Sequence, residues 1–125
     1  MEPSVGDGDV ALFYRLIDSL EADDLVVYQA AGHQLVGRVV AQPGDTVEVL
    51  GNGEFLVNGA AQPSPNGEET LPSDSGPAYP LTLGDGQYFV LGDGRTQAVD
   101  SRQVGPIGVN EVEGKVIAVL RLRGI

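Results

Sequence analysis

The sequence predicts an all-β domain of coiled antiparallel sheets, and three observations carry that prediction. Valine occurs 17 times in 125 residues, mostly in short runs bounded by Gly, Pro, Asn or Asp, which is how strands separated by turns are written. Gly and Pro number 18 and 8, too many for a helical bundle, and they follow no collagen-like period. Turn-forming groups recur at short intervals, among them Pro43-Gly44-Asp45, Gly51-Asn52-Gly53 and Asn58-Gly59. The length suits one domain with a modest core.

The elements follow in order. Val10 to Leu16 runs out of Gly6-Asp7-Gly8-Asp9 as a first strand, and Tyr14 to Leu20 alone competes as a short helical turn. The acidic patch Glu21 to Asp24 precedes a second strand, Leu25 to Gln29. Gln34 to Ala41 is a third, turned by Pro43-Gly44-Asp45 into Thr46 to Leu50; Glu54 to Val57 returns as its hairpin partner. Residues 60–80 change character: ten of these 21 are Gly, Pro or Ser, with little to bury, and they read as an exposed excursion, a lid, a partner site or a disordered stretch. Gln87 to Leu91 follows Gly84-Asp85-Gly86. Residues 106–113 are ambiguous between turn and short helix. Lys115 to Arg123 closes the chain, with Val116, Ala118, Leu120 and Leu122 on one face. This makes seven strands and one wide loop.

Composition removes several functions. There is no cysteine, so disulfides, thiolate catalysis and cysteine-bound metal are excluded. Eighteen acidic against seven basic residues give a net charge of −11, which opposes nucleic-acid and anionic-lipid surfaces. The few rings, four Tyr and three Phe without Trp, speak against a single-strand-binding platform. No run approaches the roughly 18 apolar residues of a membrane span. His33, the single histidine, stands in the turn Ala31-Gly32-His33-Gln34 and reads as a solvated loop residue. The pairs Asp7/Asp9 and Glu68/Glu69 lack the ligand count of a calcium loop. Gly92-Asp93-Gly94-Arg95 follows an apolar strand without a phosphate-loop lysine. It reads as a tight turn whose glycines take unusual dihedrals, with Arg95, Asp100 and Arg102 available for ion pairs. No cofactor or metal is expected.

Taken together, these segments resemble the conserved boxes of type I signal peptidases, the S26 family. Met1-Glu2-Pro3-Ser4-Val5 with Gly8-Asp9-Val10 resembles the first box. Leu35 to Val40 with Pro43-Gly44-Asp45-Thr46-Val47 resembles the box that carries a Lys-Arg pair in active members. Val57-Asn58-Gly59 matches the turn after it. Tyr88 to Arg95 with Asp100-Ser101-Arg102 resembles the Gly-Asp-Asn-Arg…Ser-x-Asp-Ser-Arg box, and Gly114-Lys115-Val116 the closing strand. The resemblance implies the signal peptidase I ectodomain fold over residues 1–125, a membrane anchor outside this chain and a place on the extracytoplasmic face of the cell membrane. It also implies a Ser nucleophile, a Lys general base desolvated enough to accept a proton, and a second Ser that orients the Lys.

Carried over residue by residue, the pattern is degenerate. The nucleophile position precedes Met1, the general base position is Gly37, the orienting Ser is Ala98 and the family Asn is Gly94. Asp93, Arg95, Asp100, Ser101, Arg102 and Arg38 remain as structural support, with Asp100 tied to Arg102. Met1, Pro3, Val5, Leu35, Val36 and Gly37 line the expected peptide groove, and losing the lysine at 37 is expected to open space in its floor. Lys115 reads as a surface residue, and arginine does not deprotonate usefully near neutrality. This degeneracy resembles the catalytically degenerate SipA-type signal-peptidase-like proteins of Gram-positive pilus assembly. The resulting expectation is a non-catalytic accessory that engages pilin or the pilus-assembly sortase machinery through a vestigial groove. The alternative is an active signal peptidase with an unconventional base.

Overall fold

The computed structural model describes residues 9–14, 20–96 and 98–121. Its strands are β1 (Asp9–Tyr14), β2 (Leu25–Ala30), β3 (His33–Ala41), β4 (Thr46–Val49), β5 (Phe55–Val57), β6 (Ala60–Ala61), β7 (Leu81–Thr82), β8 (Gln87–Leu91), β9 (Ile107–Gly108) and β10 (Val112–Arg121). One short helix, α1 (Ser101–Val104), and a 3₁₀ turn at Val109–Glu111 complete the elements. The strands form two antiparallel sheets, ordered β1-β10-β2-β3-β8-β9 and β6-β5-β4-β7.

β8 sits where the two sheets share their cores. Tyr88 and Val90 join Leu20, Val26, Tyr28, Val39 and Ile107 on one side. Phe89 and Leu91 join Ala41, Val47, Val49, Phe55 and Leu83 on the other. Burial on both faces accounts for the unbroken apolar run Tyr-Phe-Val-Leu, where a half-buried strand would alternate. Phe89 stacks on Phe55 at 5.9 Å between ring centroids and meets Tyr79 edge-on at 6.3 Å. Two crossings join the sheets, β3 to β4 and β7 to β8. They are tied together by Gly44 N donating to Leu83 O (2.9 Å) and Leu83 N donating to Asp45 O (2.9 Å).

All seven expected strands are present as far as the described residues reach, with small shifts at their ends. Leu16, the helical turn expected over 14–20 and the Leu122 end of the closing face lie outside the described residues, or largely so. The ambiguous stretch 106–113 resolves into β9, the 3₁₀ turn and the start of β10. The excursion is shorter than expected, because residues 60 and 61 pair with β5, and the chain re-enters the second sheet at once after it, residues 81 and 82 pairing with β4. His33 is a strand residue, paired with Ala30 at the tip of the β2–β3 hairpin and exposed.

The two tightest hairpins solve the same problem with different residues. Val57 pairs with Ala60 around Asn58-Gly59, at φ 52° and 84°. Ala30 pairs with His33 around Ala31-Gly32, at φ 53° and 78°. A two-residue turn of this hand needs positive φ at both positions, and asparagine tolerates it where alanine is strained by about 1 kcal/mol. Ala31→Asn is therefore expected to raise stability by roughly 0.5–1 kcal/mol, measured as a higher urea midpoint with an unchanged slope.

Candidate active site

Among the described residues, the segment that leaves β8 builds the most polar interior. Asp93, Arg95, Asp100, Ser101 and Arg102 are all buried, as is Thr70 from the excursion. Burial of so many ionisable groups is tolerable only if each is paired or hydrogen-bonded. The Asp100 carboxylate accepts from Arg102 Nε (2.9 Å), Arg102 Nη2 (3.0 Å), Arg102 N (3.0 Å) and Gly92 N (3.0 Å). Arg102 Nη2 also donates to Arg95 O (2.7 Å), and Nη1 reaches Leu71 O (3.3 Å). Arg95 spans Gly92 O (2.8 Å) and Thr70 Oγ1 (2.7 Å). Ser101 Oγ accepts from Val90 N (2.9 Å). The expected Asp100–Arg102 pair is thus present, whereas these Arg95 bonds go to a carbonyl and a hydroxyl.

α1 begins in the same carboxylate. Asp100 is its N-cap and Gln103 Oε1 accepts from Asp100 N at 2.8 Å, a reciprocal capping box. The spacing Asp100-x-x-Gln103 is legible in the sequence and would have located this helix. One expectation about the turn fails: neither Gly92 nor Gly94 has positive φ. Gly92 is buried where its N and O are both bonded, so close packing accounts for it better than backbone freedom.

A second pair links this turn to β3. Arg38 donates from Nε to Asp93 Oδ1 (3.0 Å) and from Nη2 to Asp93 Oδ2 (2.8 Å), a bidentate fork, and from Nη1 to Asp23 O (3.0 Å). The hydrogen bond to Asp93 raises the Arg38 pKa further above its usual range, against a smaller opposing effect of burial. For Arg95, burial lowers the pKa, with Arg102 acting in the same direction and Asp100, Asp93 and Glu68 opposing. The excursion is a brace on this turn, not only an exposed loop. Glu68 accepts from Thr96 N and Oγ1 (3.4 and 3.2 Å), and Thr70 N donates to Gly53 O (2.8 Å) in the β4–β5 turn. At Gly76 a side chain would overlap the Arg102 carbonyl oxygen. Thr70 was not legible as a site residue, because nothing local marks an isolated threonine in a Pro- and Ser-rich stretch.

Gly37 lies mid-strand, paired with Val26. A Cβ there would stand 2.5 Å from Val90 Cγ1, 3.3 Å from Leu91 O and 3.5 Å from Tyr28 Cε1. The expectation of open space is therefore corrected: Val90 and Tyr28 have closed over the position. Leu35 and Val36 are half-buried beside it, while Met1, Pro3 and Val5 lie outside the described residues. Gly94 O accepts from Ala98 N (3.0 Å) within the turn, which brings these two positions together. No alternative base among the described residues reaches position 37. Lys115 lies in the same cross-strand row, through Val26, but its Nζ is 3.2 Å from Asp24 Oδ2 and so engaged by an opposite charge. Lys115 is partly buried, not a plain surface residue. His33 is four strand residues away, about 13 Å.

Two outcomes follow from this packing. Gly37→Ala is expected to cost about 1–3 kcal/mol by overpacking against Val90, with most of the loss recovered in Gly37→Ala/Val90→Ala when both are compared by denaturant unfolding. The second concerns alkali. Burial first, and then the Asp100 carboxylate, push the Tyr28 phenol well above its ordinary value and Tyr79 up to about 12, with Arg102 opposing at Tyr79. An unfolded tyrosine ionises from about pH 10 while the folded phenols stay protonated. The unfolded state thus loses protons first, and stability falls as pH rises from about 10 towards 12. Phenolate absorbance against pH should show two late-titrating groups, and Tyr79→Phe should flatten the alkaline loss.

The chain is similar to known proteins along most of its length. The signal peptidase, peptidase S26 family matches residues 1–121. Signal peptidase I of Bacillus amyloliquefaciens is 30% identical over 115 residues, covering 82% of this chain and 60% of that protein. Signal peptidase IB of Staphylococcus aureus is 32% identical over 135 residues, covering 93% and 70%. The probable thylakoidal processing peptidase 2 of Arabidopsis thaliana is 29% identical, covering 94% of this chain but 34% of its own length. This chain spans less than two thirds of the first curated relatives it matches. A crystal structure of signal peptidase I from Enterococcus faecalis V583 aligns with a TM-score of 0.61 at 24% identity, over 81% of this chain and 99% of that one, which shows the antiparallel β fold. These matches overturn the expected pilus-assembly accessory and its pseudoenzyme character, since the relatives are named as signal and processing peptidases. Membership supports a membrane-associated extracytoplasmic domain, although no helix among the described residues is long and apolar enough to cross a membrane. By the match along nearly its whole length, the chain belongs to the signal peptidase family, peptidase S26.

Proposed function

We propose that this chain is the cleavage domain of a signal peptidase at the extracytoplasmic face of the cell membrane. It acts on preproteins whose signal peptides end in small residues, with a general base supplied from outside position 37. The observation that carries the reading is the buried lattice of Asp93 with Arg38 and Asp100 with Arg102, Gly92 and Ser101's helix. Buried ion pairs contribute little net stability once desolvation is counted. Their use here is geometric: they hold the end of β8, the turn after it and the strand bearing position 37 in one fixed relation. Fixed placement of this kind supports peptide-bond cleavage, where reacting groups must be held to within a fraction of an ångström.

Position 37 sets the chemistry apart from the family pattern. A glycine contributes no proton acceptor, and Lys115, Asp93 and Asp100 are each engaged by an opposite charge. The base therefore comes from a group beyond these, either elsewhere in the protein or on the bound substrate.

The test is processing of a preprotein by the full-length protein in detergent, read as new N-termini by mass spectrometry. Cleavage after a small residue is expected. In Asp100→Asn the rate should fall by about a hundredfold, the scale of loss when a scaffold misplaces reacting groups by an ångström. Absence of any product from the unmodified, folded protein would overturn the proposal.

A further inference from the structure

Tyr28 combines two features that do not belong together in an ordinary core residue. Its backbone pairs with Leu35 on β3, which makes Gly37 its diagonal neighbour on the same face. The ring leans along that diagonal, with Cε1 3.5 Å from where a Cβ at 37 would stand. An aromatic ring laid over a strand glycine repairs the missing side-chain contact, and phenylalanine would do this as well. Yet the residue is tyrosine, wholly buried, and its hydroxyl has no hydrogen-bond partner among the described residues. Leaving a hydroxyl unpaired in a core costs more than it returns. Packing explains the ring and leaves the oxygen unexplained.

The ring that carries this oxygen packs against position 37, one of the three places where the family pattern has lost a polar side chain. Cε1 neighbours the carbon that bears Oη, so the hydroxyl lies within a few ångströms of position 37. Burial and the Asp100 carboxylate both keep the phenol protonated, which makes it a donor and disqualifies it as a base. We propose that Tyr28 is a substrate-binding residue of the cleavage site, its hydroxyl donating a hydrogen bond to a backbone carbonyl of the extended peptide held beside Gly37. The proposal rests on the peptidase reading of the same site. The unliganded chain carries the unpaired hydroxyl as a cost, recovered when a peptide supplies the acceptor; sites that hold such unfavourable groups commonly trade stability for function. Full burial also means that the covering side chains yield as the peptide enters.

Tyr28→Phe separates the two roles, because it keeps the ring over Gly37 and removes only the oxygen. The probe is a synthetic peptide with an apolar stretch ending in small residues, titrated calorimetrically into the full-length protein, with melting temperature measured in parallel. The expected result is an equal or higher melting temperature together with about tenfold weaker peptide binding, the scale of one lost hydrogen bond. Unchanged affinity in the variant, whatever its melting temperature, would overturn the proposal and leave the hydroxyl a cost of packing. So would failure of the unmodified protein to bind the peptide. If the peptide binds through Tyr28 but no preprotein is cut, the cleavage reading fails while this one stands.

Discussion

The Asp100 carboxylate is the interaction on which the rest of the site depends. Its two oxygens accept four hydrogen bonds, from the Arg102 side chain and backbone and from Gly92 N, without any exposure to water. One group thereby closes the turn that follows β8, starts α1 and fixes the guanidinium that in turn holds Arg95 O and Leu71 O. A neutral side chain of the same size would keep at most part of this, since the fork of Arg102 needs both oxygens as acceptors. The charge is costly to bury, and that cost is offset only by the completeness of its pairing.

From this carboxylate the order spreads outward in two directions. Through the main chain it reaches Asp93 and, across the sheet, Arg38 on β3, so that position 37 is held against the end of β8. Through Arg102 and Arg95 it reaches the excursion at Leu71 and Thr70, and from Thr70 N the β4–β5 turn at Gly53. The Pro- and Ser-rich stretch, which looks dispensable by composition, is therefore a structural member whose footing is two buried arginines. Position 37 is the exception within this order. The frame around it is complete, and the space a side chain would fill has been taken by Val90 and the Tyr28 ring.

Much of this was legible in the sequence, and the limits have physical causes. Short-range signals performed well: valine-rich runs placed the strands, Asn58-Gly59 placed a hairpin and Asp100-Ser101-Arg102 marked the ion pair. Position along the boxes located Gly37, Gly94 and Ala98. What sequence could not supply was the long-range content. Thr70 and Leu71 meet arginines 25 and 31 residues away, and nothing in their neighbourhood announces it. The filling of position 37 depends on Val90, which β3–β8 register alone brings there. The expectation of a non-catalytic accessory rested on Gly37, Ala98 and Gly94 together with the position before Met1; it is overturned because the relatives the chain resembles are named as peptidases, and the surrounding lattice is intact.

The double burial of β8 has a thermodynamic consequence. With Tyr88 and Val90 in one core and Phe89 and Leu91 in the other, neither sheet can lose its packing without exposing half of the same strand. The two cores are thus one cooperative unit, and no partly unfolded form that keeps a single sheet is stable on its own. Backbone amides of β8 are expected to exchange with solvent only through global opening. The buried ion-pair lattice, which hangs from the end of that strand, inherits the stability of the whole molecule.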